Sequence, residues 1–252
     1  MTDATPPEIN PVPPPPAVKR HARRLLLLAT VVLGLSAWGL AAYIVLPFVW
    51  ERYARRHPSL DDVPGITQTG AGIPGDPVNV ELIGTESDLV KIVLAAKWYP
   101  ADPLSLKSSL RISVDAVFKR PDPDAPVSNL YLFGRREDLA FEQEVNDNPR
   151  HRHHVRFWKT DKLDPDGRPA WVGSAVFDER VGLSRTTGQV THVTAANVDA
   201  ERDYLFTCLK GTGDLSETFI VPDFHKEHSG KNGGGDPWTT DGNLWGGVIT
   251  LK

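Results

Sequence analysis

His-His-Val-Arg-Phe-Trp-Lys (153–159) and Trp-Val-Gly-Ser-Ala-Val-Phe-Asp (171–178) are two short runs rich in aromatic and β-branched residues, joined around Pro165-Asp166-Gly167. Such side chains fit a pleated, half-buried surface, and a Pro/Asp/Gly cluster supplies a turn, so the pair reads as two antiparallel strands. Ser128–Phe133 is a third run of the same kind. On a strand, residues two apart share a face. His151, His153, Val155 and Phe157 therefore point one way, and Arg152, His154, Arg156 and Trp158 the other. The first set reads as core.

Outward from this pair, the C-terminal side continues with a helix. Asn197 caps it, Val198, Leu205, Cys208 and Leu209 follow at helical intervals, and Gly211 ends it. Thr218–Val221 and Gly247–Leu251 read as closing strands. On the N-terminal side, Val78, Val80 and Leu82 alternate between Pro77 and Gly84 as a first strand. Thr85-Glu86-Ser87-Asp88 has capping-box spacing, and Leu89, Ile92, Val93 and Ala96 continue it as a helix to about Lys97. Asp102-Pro103 starts a further helix through Leu106, Leu110, Val114 and Val117, although the alternation Leu110, Ile112, Val114, Ala116, Phe118 also fits a strand. No internal repeat is visible and helices are not regularly interleaved with strands. The expected class is α+β, a mostly antiparallel sheet packed with about three helices.

Further out lies Leu25–Trp50, a charge-free apolar run framed by Lys19, Arg20, Arg23 and Arg24 before it and Arg52, Arg55 and Arg56 after it. Roughly 26 residues at about 1.5 Å each exceed the ~30 Å hydrocarbon core of a bilayer. The run predicts a single transmembrane helix with the lipid bilayer as its partner. It is too long for a signal-peptide core, and Pro-Phe-Val-Trp at its end is no cleavage site. The predicted layout is a Pro-rich tail (1–24), the transmembrane helix (25–50), a Pro/Gly-rich linker (51–75) and a globular domain (76–252). Basic residues weigh slightly toward the N-terminal flank, which favours a cytoplasmic tail and a periplasmic domain on the cell inner membrane.

Residues 1–56 carry seven Lys and Arg against three acids, leaving 21 against 29 in the remainder. An acidic outer domain argues against a nucleic-acid partner. The single cysteine, Cys208, can make no internal disulfide.

The densest chemistry lies at Arg150–Lys159. Arg152, His154 and Arg156 on one face offer two guanidiniums and an imidazole that can grip a phosphate or carboxylate. The plainer reading pairs these arginines with the domain's surplus Asp and Glu on a solvated face. Ser229–Gly247 holds seven glycines with Lys231, Asn232, Asp236 and Asp241, and backbone N–H groups at Gly233 and Gly234 can turn toward an anion. Folded over Arg152, His154 and Arg156, this loop would complete one anion pocket, with Asp236 and Asp241 as acid/base groups. It lacks the phosphate-loop pattern, and a surface loop is the simpler reading. His151-x-His153 has strand spacing for a divalent metal, with His192 or Asp178 completing the set, but no fuller metal motif accompanies it and no cofactor is firmly expected. Ser184, Thr186 and Thr187 lack a nucleophile elbow and read as a hydroxyl-rich turn.

Five stretches together carry a family likeness: Ile73–Gly84, Ala125–Gly134, Arg152–Trp158, Asp199–Tyr204 and Asn232–Gly242. As a set they resemble the LssY C-terminal domain family over nearly all of residues 57–252. The resemblance implies a bacterial, membrane-associated domain of unassigned function, which in some relatives accompanies membrane phosphatases of the phosphatidic-acid type. No such enzyme module is present here, so phosphatase activity does not carry over. Two functions remain open. One is a membrane-anchored domain binding an anionic envelope component, lipid or glycan, or a membrane protein partner. The other is a hydrolase or transferase acting on a phosphorylated lipid or glycan through His153, His154, Arg156, His192 and Asp236, with a divalent metal as an option.

Overall fold

The computed structural model describes residues 17–56, 59–101, 129–145, 148–186, 188 and 190–251. The chain forms two units, Met1–Arg55 and Arg56–Lys252.

The first unit is a helical rod: α1 (Ala17–Leu40), a π-helical turn (Ala41–Val45) and α2 (Leu46–Arg56). The widened turn closes with the Leu46 N–H on the Ala41 carbonyl, next to Pro47. A proline inside a helix lacks a donor and crowds the carbonyl four residues back, here that of Tyr43, and a π turn relieves that crowding. The rod's Thr30 hydroxyl folds back on the Leu26 carbonyl at 2.9 Å, so no polar group faces outward unpaired there. His21–Trp50 is long and apolar enough to cross a membrane, with its leucines exposed along its length. A single-pass membrane anchor is consistent with this helix.

In the second unit the elements are β1 (Ile66–Thr69), β2 (Pro74–Pro77), β3 (Val80–Ile83), α3 (Glu86–Ala95), β4 (Tyr99–Pro100), β5 (Leu130–Leu132) and β6 (Arg135–Arg136). They continue with β7 (Leu139–Val145), β8 (Asn148–Leu163), β9 (Pro169–Leu183), β10 (Val190–Thr194) and α4 (Val198–Thr212). β11 (Leu215–Val221), β12 (Ser229–Lys231), β13 (Pro237–Thr239) and β14 (Leu244–Ile249) complete it. The main sheet runs β11-β14-β3-β9-β8-β7-β4, with β10 paired to β9; a small sheet runs β2-β1-β5-β6, and β12 pairs β13. Pairing is antiparallel except between β14 and β3. This is the expected α+β architecture. The helix or strand expected at 102–118 lies outside the described residues.

The hairpin at the centre follows from its turn. Asp164 accepts the N–H groups of Asp166 and Arg168 through one carboxylate oxygen, and Gly167 takes φ +75°. In register, His154 faces Val176 and Arg156 faces Ser174. One face of the sheet packs Val80, Leu82, Phe141, Val155, Phe157 and Trp171 against Leu89, Ile92 and Val93 of α3 and Leu205, Phe206 and Leu209 of α4. The α3 capping box forms as predicted, with Thr85 and Asp88 exchanging bonds.

Four expectations change. The face holding Arg152, His154, Arg156 and Trp158 is not solvated: all four are 5% exposed or less. The small sheet lies over it, bringing Leu130 and Leu132 onto Trp158 and Val172. β3 is accordingly buried on both sides rather than alternating. Part of the expected linker is folded, since Leu60 joins that second core and β1–β2 form a hairpin whose turn uses Gly70 and Gly72; its glycines and prolines mark strand ends, not a tether. Finally, α4 passes Gly211 and ends at Gly213, which takes the left-handed conformation at φ 79°.

Candidate functional site

Between this face of the main sheet and the small sheet that covers it lies a cavity of about 300 Å³. β8 contributes His154 and Arg156 to its wall, β9 Val176 and Asp178, and β10 Thr191, His192 and Thr194. Gly75 and Asp76 on β2 and Asn232, Gly233 and Gly234 after β12 close it.

The glycine-rich segment is a structured hairpin, not a free loop. The Asn232 carboxamide oxygen accepts from the N–H groups of Gly234 and Asp236, and its nitrogen donates to Asp76 (3.1 Å) and Thr194 (2.9 Å). One side chain thus fastens the turn to β2 and β10. Gly233 is required by close approach, because a Cβ there would stand 2.3 Å from the Thr69 methyl.

Behind the wall, Arg152 is held on three sides. It donates to Glu142 (3.1 Å), to Asp178 (3.4 Å) and to His192 Nε2 (2.7 Å). Arginine only donates, so His192 accepts at Nε2 and carries its proton on Nδ1, which faces Asp178 Oδ2 at 3.6 Å. His154 Nδ1 lies 3.9 Å from the same oxygen, and Arg156 lies 3.9 Å from Asp76.

Burial sets the protonation states. Desolvation, reinforced by Arg152 and Arg156, pushes His192 down to about 4, and desolvation with Arg156, Arg152 and His192 holds His154 well below the ordinary histidine range. Both rings are neutral at pH 7. Desolvation pushes Asp178 up to about 7 against the pull of Arg152 and Arg156, and raises Asp76 against Arg156 and Asn232. A carboxyl that titrates near neutrality between two neutral imidazoles can exchange a proton at physiological pH.

Of the residues singled out from the sequence, His154, Arg156, His192, Gly233 and Gly234 meet in this cavity. Arg152 sits behind it and Asp236 beneath the turn, buried, with Oδ2 lacking a hydrogen bond. Lys231 and His151 are exposed and outside the wall. His153 lies on the opposite sheet face, bonded to Glu201 at 2.8 Å and stacked on Tyr204 at 3.9 Å. The set His151, His153 and His192 therefore does not converge, because strand alternation separates His153 from the face that reaches His192. Among the described residues no three His, Cys, Asp or Glu side chains gather to hold a metal ion. Asp241 is engaged by the buried Arg202 through both oxygens. Asp76 and Glu142 escaped sequence reasoning. Asp76 stood at the expected start of the domain, directly after the Pro/Gly-rich linker, and only its place inside the Ile73–Gly84 stretch marked it.

The family model described as LssY C-terminus matches residues 60–244. The chain belongs to that family. No curated protein and no solved structure matches the chain. Every wall of the LssY C-terminus cavity falls inside the matched stretch, whereas the apolar rod lies before it.

Proposed function

We propose that this LssY C-terminus domain is a membrane-tethered binding module whose cavity takes up a small polar group of an envelope component, a lipid headgroup or glycan residue. The cavity itself carries the reading. Buried polar side chains ordinarily satisfy one another, yet two residues that line this cavity each keep a buried ring nitrogen without a hydrogen bond, His154 Nε2 and His192 Nδ1. Arg156 brings a cation to the same wall, and the turn at Gly233 and Gly234 closes it. In this reading the apolar helix is a single-pass anchor in the inner membrane and the domain is periplasmic, within reach of such groups or of a membrane protein presenting them. The length and apolarity of the helix support the anchor, and the slight excess of basic residues on its N-terminal flank supports the orientation.

The test is a thermal shift of the full chain in nanodiscs against inorganic phosphate, glycerol phosphate and neutral sugars. A ligand at ~100 times its dissociation constant adds about 2.7 kcal/mol, so a bound member of the panel is visible. Silence from every member overturns the binding reading.

A second reading, hydrolysis or group transfer on a phosphorylated lipid or glycan, is favoured by one observation: Asp178 is poised near 7 beside the Nδ1–H of His192. Turnover of phosphorylated lipid or glycan substrates that Asp178→Asn abolishes would support it. Failure of the wild type to turn over any of them would sink it.

A further inference from the structure

Resting on the reading of the cavity as a ligand site, we infer that its ligand is a neutral, hydroxyl-rich group, a sugar or polyol, and not a phosphate or carboxylate. Two independent features lead there.

The first is the balance of charge. Arg152 is already engaged by Glu142 and Asp178, and the cation that reaches the cavity wall, Arg156, shares it with Asp76 and Asp178. Both wall imidazoles are neutral at pH 7, and Asp236 adds a further buried carboxyl near Asp76. An entering anion gains one guanidinium and meets a majority of carboxyl groups. Like-charge contact in a partly desolvated space is unfavourable.

The second is the pattern of donors and acceptors. His192 must present a proton at Nδ1, since Nε2 accepts from Arg152. Asp178 Oδ2, an acceptor when ionised, lies 3.6 Å from that nitrogen, too far for the two to satisfy each other directly. A group that serves both must accept from the imidazole and donate to the carboxylate. A hydroxyl does both, a phosphate dianion only accepts, and an ammonium only donates. Thr191 and Thr194 extend the same mixed surface, and about 300 Å³ lies at the lower end of the range of small-ligand pockets, suited to a ligand of one or two sugar rings.

The experiment is calorimetric titration of the full chain in nanodiscs at pH 7.5 with glucose, N-acetylglucosamine, glycerol, inorganic phosphate and ethylamine. Saturable binding of at least one hydroxyl probe, about tenfold or more tighter than phosphate, is the expected result. Asp178→Asn is expected to weaken that probe about tenfold while improving phosphate. Phosphate binding as tightly as the best hydroxyl probe overturns the inference but leaves the cavity as a ligand site, and so does ethylamine as the sole binder. Silence from all five overturns both. Should Asp178→Asn fail to fold, the wild-type selectivity series decides alone.

Discussion

Glu81 is the residue most at odds with its surroundings. It stands on β3 in the middle of the main sheet, fully buried, both carboxylate oxygens lack a hydrogen bond, and desolvation pushes it up to about 8. The folded chain therefore keeps a proton that the unfolded chain releases above about 4.5. Stability is fully present below that pH and drains away as pH rises toward 8, by about 1.4 kcal/mol for each unit. Glu81→Gln is expected to match the wild type at pH 4 and to exceed its melting temperature clearly at pH 8. Equal melting temperatures at pH 8 would show that Glu81 ionises without penalty. Asn232 is the opposite case, a buried polar group with every bond made. Asn232→Ala removes four hydrogen bonds and leaves Asp76 without its amide partner, so a loss of about 2–4 kcal/mol is expected by denaturant titration at neutral pH.

At the scale of elements, α4 offers a matched pair of tests. Gly211 lies within the helix with nothing within 4 Å of a built Cβ, so Gly211→Ala is expected to stabilise by about 0.5–1 kcal/mol. Gly213 holds the left-handed turn, so Gly213→Ala is expected to destabilise by about 1 kcal/mol. Reversed signs in thermal melts would return the helix end to Gly211. The pair also shows what could be read in advance. Cap, turn and strand alternation are local, so Thr85 with Asp88, Asn197 and the Asp164–Arg168 turn were legible residue by residue. Two glycines two positions apart were not separable, because the choice depends on what the last turn packs against. The burial of Arg152, His154 and Arg156 was illegible for a stronger reason. Their cover comes from Asp76 and Asn232, each roughly eighty residues away, and polar residues on alternate positions look the same whether water or another polar layer meets them. Convergence of the glycine-rich segment on that face followed from complementary chemistry, whereas the neutrality of its histidines required knowing how deeply they lie.

For the whole molecule, the tether makes the simplest claim. With Leu25–Trp50 free of charge inside a helix long enough to cross a bilayer, the full chain is expected to stay with vesicles through alkaline carbonate extraction, and a chain lacking residues 1–56 to be released. Release of the full chain would remove the anchor from the argument. The order of strands has another consequence. Val80 on β3 pairs with Trp245 on β14, in parallel, at the centre of the main sheet. During translation, therefore, a nascent chain that has already emerged well past β9 still carries a naked, apolar inner edge, for its neighbour is made only after α4 and β11–β13. Long-range closure of this kind is slow and invites sticking to other chains. Prefixes halted before Leu244 should be captured by chaperones and cut readily by proteases, making this a domain that becomes safe only at the close of its own synthesis.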